Sequence, residues 1–149
     1  MAEQGTGRRR VGVIGAGAAG ILAAVFAGAG GAETFLLERT RDGGRKILIS
    51  GGGRCNILPS RLEESRFVTD SSPHTLRNII RSWPLQEQIA FFEREAGLPL
   101  VEEPESAKLF PVSNRARDVR DGAVDAIPEG YLTVENPRTG LLVLKKANK

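Results

Sequence analysis

The chain has 149 residues, 40% hydrophobic and 26% charged, a size and balance that suit one soluble domain with a single core. Twenty-one basic against 18 acidic side chains leave +3, partly from Arg8-Arg9-Arg10, and 5% aromatic content advertises no base-stacking surface, so neither argues for a nucleic-acid partner. A single cysteine, Cys55, excludes an internal disulfide and fits a reducing, cytoplasmic setting.

Residues 1–9 read as a flexible basic lead-in. Residues 11–30 are uncharged and long enough to raise a membrane span or a signal peptide. Six of those twenty are Gly and seven are Ala, which leaves seven strongly apolar side chains, and the glycines fall at the spacing of a nucleotide loop. That composition argues against a membrane segment.

Residues 10–14 (RVGVI) are a short β-branched run bounded by Gly15, expected as a buried parallel strand. Ala18 to about Ala29 is Ala-rich, with Ile21, Leu22, Val25 and Phe26 on one side, so a helix follows at once. Thr34 to Glu38 is a second apolar strand that ends in an acid. Strand, glycine loop, helix and strand make the first βαβ unit of a doubly wound sheet. Residues 41–56 read as a loop with five glycines around the apolar piece Ile47-Leu48-Ile49.

From Ser72 onward the pattern turns helical. Ser72 suits a cap and Pro73 a first turn, with Leu76, Ile79, Ile80 and Trp83 on one face. A second helix is expected from about Pro84 to Ala96, carrying Leu85, Ile89 and Phe92 and stopping at Gly97. A third starts after Ser113, with Ala116, Val119, Ala123 and Ile127 inward, and Pro128 ends it. The tail reads as a hairpin turning at residues 136–140. The expected division is therefore a Rossmann-like segment over 10–58, a helical continuation over 59–127 and a divergent tail over 128–149.

The strongest local signal is Gly15-Ala16-Gly17-Ala18-Ala19-Gly20, which follows a strand, opens a helix, and precedes Glu38 eighteen residues beyond Gly20. Gly15 permits the tight turn, Gly17 lets the backbone approach a pyrophosphate, and Gly20 lets helix and strand pack closely. The helix start at Ala18 and Ala19 offers free N–H groups and a partial positive charge to phosphate. Glu38, with Arg39 beside it, is placed to accept hydrogen bonds from a ribose diol. This fingerprint by itself does not separate NAD from FAD.

The next segment narrows the choice by resemblance. Arg41-Asp42-Gly43-Gly44-Arg45 is similar to the arginine–diglycine element that follows the second strand in many two-dinucleotide-fold flavoproteins. It departs from that element where a hydroxyl is expected: Leu48 stands there, and the nearest hydroxyl is Ser50. The string Gly44-Arg45-Lys46-Ile47-Leu48-Ile49-Ser50-Gly51-Gly52-Gly53-Arg54-Cys55-Asn56 resembles the signature of the aminoacetone-oxidase-like NAD(P)/FAD-dependent oxidoreductases of bacteria. Gln88 to Glu93 and Leu109 to Ala116 match that family in the same order, so the resemblance covers residues 10 to 127.

What the resemblance implies is FAD as cofactor, hydride transfer through it, and NAD(P)H as electron partner. The residues read as cofactor-binding are Gly15, Gly17, Ala18, Ala19 and Gly20 of the loop, Glu38 and Arg39, then Gly44, Arg45 and Lys46, and Ser50, Gly51, Gly52, Gly53, Arg54, Cys55 and Asn56. Residues without side chains at 51–53 permit φ > 0 and close backbone approach to a ring or phosphate, while Arg45, Lys46 and Arg54 offer cations. Cys55 reads as a small buried thiol rather than a redox centre, His74 as a capping or surface residue, and no metal site is expected.

In that family the FAD domain is discontinuous, returning with further strands and a late Gly-Asp element after a substrate domain, and none of these occurs here. The expected fold class is thus α/β: a Rossmann-like FAD-binding βαβ unit and a mainly helical segment of a truncated two-dinucleotide-fold flavoprotein. Two functions follow. One is a flavoenzyme that is complete only with further chain or a separately encoded partner; the other is a non-catalytic remnant that holds at most the ADP half of a dinucleotide. Across the family the resemblance implies substrates as different as amines, steroid-like enones and uridine in ribosomal RNA, so it selects none.

Overall fold

The computed structural model describes residues 9–40, 43–128, 131–135 and 142–146. Strand β1 (Arg10–Ile14) leads through the glycine loop into helix α1 (Ala18–Ala29), and β2 (Glu33–Glu38) returns parallel to β1 with Arg10 opposite Glu33 and Ile14 opposite Leu37. The βαβ unit forms because α1 buries Ile21, Ala24, Val25 and Gly28 on one side, the 3.6-residue stripe that its sequence carries. Gly31, at φ +83°, breaks the chain out of the helix toward β2.

Among the described residues the sheet does not continue beyond β1 on its other side. Its order is β1-β2-β7-β6, where β6 (Tyr131–Glu135) and β7 (Leu142–Lys146) form an antiparallel hairpin and β7 pairs antiparallel to β2. The expected tail hairpin is therefore present in its strands; its turn lies outside the described residues. β1 is parallel as expected but not buried. Its alternate residues face solvent and Ile14 is 88% exposed, because one face of the sheet is uncovered at β1.

Residues 45–49, read from the sequence as part of a loop, form a short helix, α2 (Arg45–Ile49), which packs against a later helix through buried Ile47. A turn over Ser50–Gly53 follows, then β3 (Leu58–Pro59). Helix α3 (Pro73–Ser82) has the expected cap: the Ser72 hydroxyl accepts from the Thr75 N–H at 3.3 Å, with Pro73 in the first turn. It buries none of its residues, and Ile79 is 63% exposed, so its apolar face is broader than its packing.

Helix α4 (Leu85–Ala90) runs directly into a π-helical turn over Phe91–Glu95, closed by the Ala96 N–H to the Phe91 carbonyl at 3.1 Å. Gly97 ends it at φ +61°. Then β4 (Leu100–Glu103) and β5 (Lys108–Pro111) pair antiparallel, and β3 joins the other edge of β5 to give a second sheet in the order β3-β5-β4. The mainly helical segment over 59–127 thus also carries the short strands β4 and β5, which the sequence did not announce. Short strands with one wet face and no tight-turn signal were invisible to the periodicity argument. Helix α5 (Ala116–Asp125) matches the third predicted helix and buries Ala116, Val119 and Ala123 against α1 and α2.

One core therefore gathers Ile21, Val25 and Leu36 of the βαβ unit with Ile47, Cys55, Phe92, Leu98 and Val119. Each fully buried Leu, Ile, Val or Phe contributes about 1.5–3 kcal/mol relative to exposure. This core ties the glycine-rich turns to the antiparallel sheet.

Candidate functional site

The glycine loop has the geometry that its spacing predicts. Gly15 sits at φ +95° and its N–H donates to the Leu37 carbonyl at 2.7 Å, which binds the end of β1 to β2. A Cβ on Gly20 would fall onto the Gly15 carbonyl oxygen, so helix and loop approach to a distance only glycine allows. At Gly17, by contrast, a Cβ would meet nothing within 4 Å. Gly17 caps α1 without any side chain, and no acidic residue stands in the first turn. Ala18 and Ala19 are exposed. The free N–H groups of that turn thus open onto unfilled space, as an anion site requires.

Glu38 closes the other side of the loop. Its carboxylate accepts from the Ala16 N–H at 2.7 Å, the Thr40 N–H at 2.7 Å and the Thr40 hydroxyl at 2.8 Å. Those bonds, the Thr40 N–H first and the Ala16 N–H second, draw its pKa from an ordinary 4.5 down to about 2. Glu38 is a fixed negative charge. An ionised carboxylate accepts from a hydroxyl donor and repels a second anion.

Ala16 is the hub of this arrangement. Its N–H goes to Glu38, and its carbonyl accepts from the Gly44 N–H at 2.7 Å, which brings the diglycine segment onto the loop. Gly44 is left-handed at φ +75°, and a Cβ there would press on Arg120 Cγ at 2.9 Å. Helix α2 starts from that point. Arg45 and Lys46 stand exposed on it, without a carboxylate partner among the described residues. Arg39 is exposed as well.

The triple-glycine turn is built differently. Gly51, Gly52 and Gly53 all lie at positive φ, at 55°, 68° and 87°, and Cys55 joins them at 62°. The turn is held by a side chain reaching across the chain. Arg54 lies with its guanidinium 4.3 Å from the centre of the Phe110 ring, donates to the Glu103 carboxylate at 2.9 Å, and turns Nε toward the Gly51 carbonyl at 3.4 Å. Glu103 is itself steadied by the Ser106 hydroxyl at 2.7 Å, and its pKa is lowered by the bonds from Ser106 and Arg54. Arg54, one of the three cations that the sequence offers, is thus engaged with Glu103 and Phe110.

Ser50 accepts the Cys55 N–H through its carbonyl at 3.0 Å, closing the turn. Cys55 is buried, and burial pushes its thiol above the ordinary value. Asn56 is exposed, and His74 stands exposed in the first turn of α3. No group of three or more His, Cys, Asp or Glu could hold a metal ion among the described residues, and no helix among them is long and apolar enough to cross a membrane.

The residues missed by sequence reasoning are Ala16, Thr40, Glu103, Ser106 and Phe110. Thr40 carried a usable signal, a hydroxyl two residues beyond an acid at a strand end. Glu103 carried none, because it meets Arg54 across 49 residues of chain.

With a parallel β1–β2 pair, the glycine loop at a helix start and an acid at the end of β2, the chain is similar to dinucleotide-binding Rossmann domains. A family model described as "HI0933-like protein Rossmann domain" matches residues 9–147. The chain belongs to that family. The match runs past residue 127, where the resemblance was expected to fade, and takes in the β6–β7 hairpin.

Among curated relatives, a 3-dehydro-bile acid delta(4,6)-reductase of Clostridium scindens is 35% identical over 112 residues, covering 74% of this chain and 26% of that protein. A ribosomal RNA dihydrouridine synthase of Escherichia coli is 31% identical over 129 residues, 81% of this chain and 29% of that protein. Its namesake from Haemophilus influenzae is 29% identical over 93 residues, 57% of this chain and 23% of that protein. The chain thus spans about a quarter of the length of these relatives.

Proposed function

We propose that this chain is the FAD-binding portion of a flavin-dependent oxidoreductase that passes a hydride through FAD, with NAD(P)H as its electron partner. The observation that carries the reading is the open first turn of α1 set beside the ionised Glu38. The residues fit the ADP half of the cofactor. The α1 N–H groups would take pyrophosphate oxygens, Glu38 the ribose hydroxyls, and exposed Arg45 and Lys46 the remaining phosphate charge.

The signature from Gly44 to Asn56 supports FAD over NAD in the site, and a place with the aminoacetone-oxidase-like flavoproteins within the family. Flavin, when bound, supplies the hydride-accepting chemistry. This chain's residues bind and orient it. Two relatives named as dihydrouridine synthases and one named as a reductase support that class of chemistry, while the substrate is left open. A lone buried thiol suits a reducing compartment, so the cytoplasm is the proposed setting.

A second reading is a non-catalytic module that holds only the ADP half. It is favoured by the edge position of β1 among the described strands and by the engagement of Arg54 with Glu103.

Both readings are tested on the purified chain with FAD, ADP-ribose and 2′-phospho-ADP-ribose. Quenching of flavin fluorescence that ADP-ribose reverses supports the common site, and weaker binding of the 2′-phosphate supports Glu38 as the ribose acceptor. No interaction with any of the three overturns the dinucleotide reading. NAD(P)H oxidation by the FAD-loaded chain then separates enzyme from module.

A further inference from the structure

Between α1, α2, α5 and the α4–π segment lies a cavity of about 190 Å³, which shares Ala18, Cys55 and Asn56 with the residues read as cofactor-binding. Its walls include Leu22, Ile47, Cys55, Trp83, Phe92 and Val119, and no residue lining it carries a charge. Asn56 and Gln88 are the only amide side chains on it. The Gln88 amide N–H already donates to the Trp83 carbonyl at 2.6 Å.

The aromatic wall is fixed by its own packing. Trp83 meets Phe91 edge-on at 5.7 Å, Phe91 meets Phe92 edge-on at 5.4 Å, and Phe26 of α1 packs on both Trp83 and Phe91, at 5.2 and 5.4 Å. Phe91 and Phe92 stand in the π-helical turn, an irregularity that recurs at functional sites because the extra residue re-aims side chains. The cavity is therefore shaped by rigid neighbours rather than by loose side chains.

Volume and lining together select a ligand class. An apolar cavity of about 150 Å³ stays dry and accepts benzene, and this one is somewhat larger. A charge buried here would go unpaired, whereas an uncharged ring would gain contact with the aromatic and aliphatic side chains that line the walls. We propose that this cavity is a binding site for the uncharged ring of a small molecule, one substituted benzene in size, carried either by a free ligand or by the ring end of a larger one.

The chain supplies two reporters, since Trp83 and Cys55 are its only tryptophan and its only cysteine and both line the cavity. Iodobenzene, an uncharged heavy-atom quencher, is titrated into the full chain while Trp83 emission is followed, with iodide ion as the charged control. The expected result is saturable quenching by iodobenzene in the sub-millimolar range suited to so small a ligand, linear quenching by iodide, and slower alkylation of Cys55 as iodobenzene saturates. Ala123→Leu fills the space from a buried wall position and should abolish saturation at an unchanged or raised Tm. The Cys55 measurement on the unaltered chain decides the matter even if that variant fails to fold. Linear quenching by iodobenzene, or alkylation indifferent to it, overturns the proposal. Repeating the titration with FAD present distinguishes the sources: unchanged quenching assigns the cavity to a separate small molecule, and competitive loss assigns it to the cofactor's own ring.

Discussion

The two glycine-rich segments of this chain use the same residue for different physical ends. In the loop from Gly15 to Gly20 the decisive feature is close approach: Gly20 lies against the Gly15 carbonyl, and Gly17 faces open space. Backbone groups and one carboxylate hold that loop together. In the turn over Gly51–Gly53 the decisive feature is handedness, three successive left-handed residues with nothing within 4 Å of a Cβ on Gly52. There a distant arginine–glutamate–phenylalanine contact does the holding. The first loop is local and legible; the second depends on the tertiary fold.

The largest effect expected from breaking this contrast is at Gly20. In Gly20→Ala the new methyl meets backbone rather than a movable side chain, so we expect a loss of roughly 3 kcal/mol or more, read by chemical denaturation. Stability within experimental error of the parent would remove the close-approach account. Gly17→Val should behave oppositely. The residue lies at φ −80° with room for a Cβ, so folding should change by no more than about 1 kcal/mol while ADP-ribose and FAD affinity fall at least tenfold. Parent-like nucleotide binding by the valine variant would contradict the phosphate role of the loop.

Gly52→Ala sharpens the other half of the comparison. The space is empty, so only the left-handed backbone resists, at about 1–2 kcal/mol; Gly52→Asn, which tolerates that conformation better, should recover part of the loss. Equal stability of alanine and asparagine variants would show that handedness is not the constraint. Glu103→Gln should act more weakly, because both partners of its ion pair are about 40% exposed. Its value is its sign. If Arg54 fastens the turn, Glu103→Gln loosens it, lowers FAD affinity a few-fold and speeds tryptic cleavage after Arg54. If Arg54 is instead a phosphate cation merely parked on Glu103, the same change frees it and affinity rises.

What was legible in the sequence follows the same division. β1, α1, β2, the Ser72 cap and α5 were readable because their signals are local: a glycine spacing, a 3.6-residue stripe, a hydroxyl before a proline. Helix α2 was hidden inside a glycine-rich stretch, since five residues give too short a stripe to register. The strands β4 and β5 were hidden because only their packing distinguishes Leu109 and Phe110 from a loop. The partners of Arg54 were hidden for a related reason. Cation chemistry at a glycine turn suggests phosphate, and nothing near residue 54 announces Glu103.

The smallest effect expected concerns pH, and it tests whether the first loop is held by charge or only by shape. Glu38 ionises at about 2 in the folded chain instead of 4.5, because the N–H groups of Thr40 and Ala16 and the Thr40 hydroxyl all bond to the charged form. A folded pKa below the unfolded one means that the carboxylate stabilises the fold fully above pH 4.5 and loses that contribution as pH falls toward 2. Glu38→Gln lacks the titration and points an amide at donors that wanted an acceptor. The stability difference between parent and Glu38→Gln should therefore be flat from neutrality down to about pH 4.5 and shrink below it. Referring each measurement to the variant cancels the acid response of the other carboxylates. Because Glu38 is only half-buried, the difference should be modest and should survive added salt better than an exposed ion pair does, since it rests on hydrogen bonds of fixed geometry. A difference that stays constant through pH 3 would mean that the loop is held by packing alone.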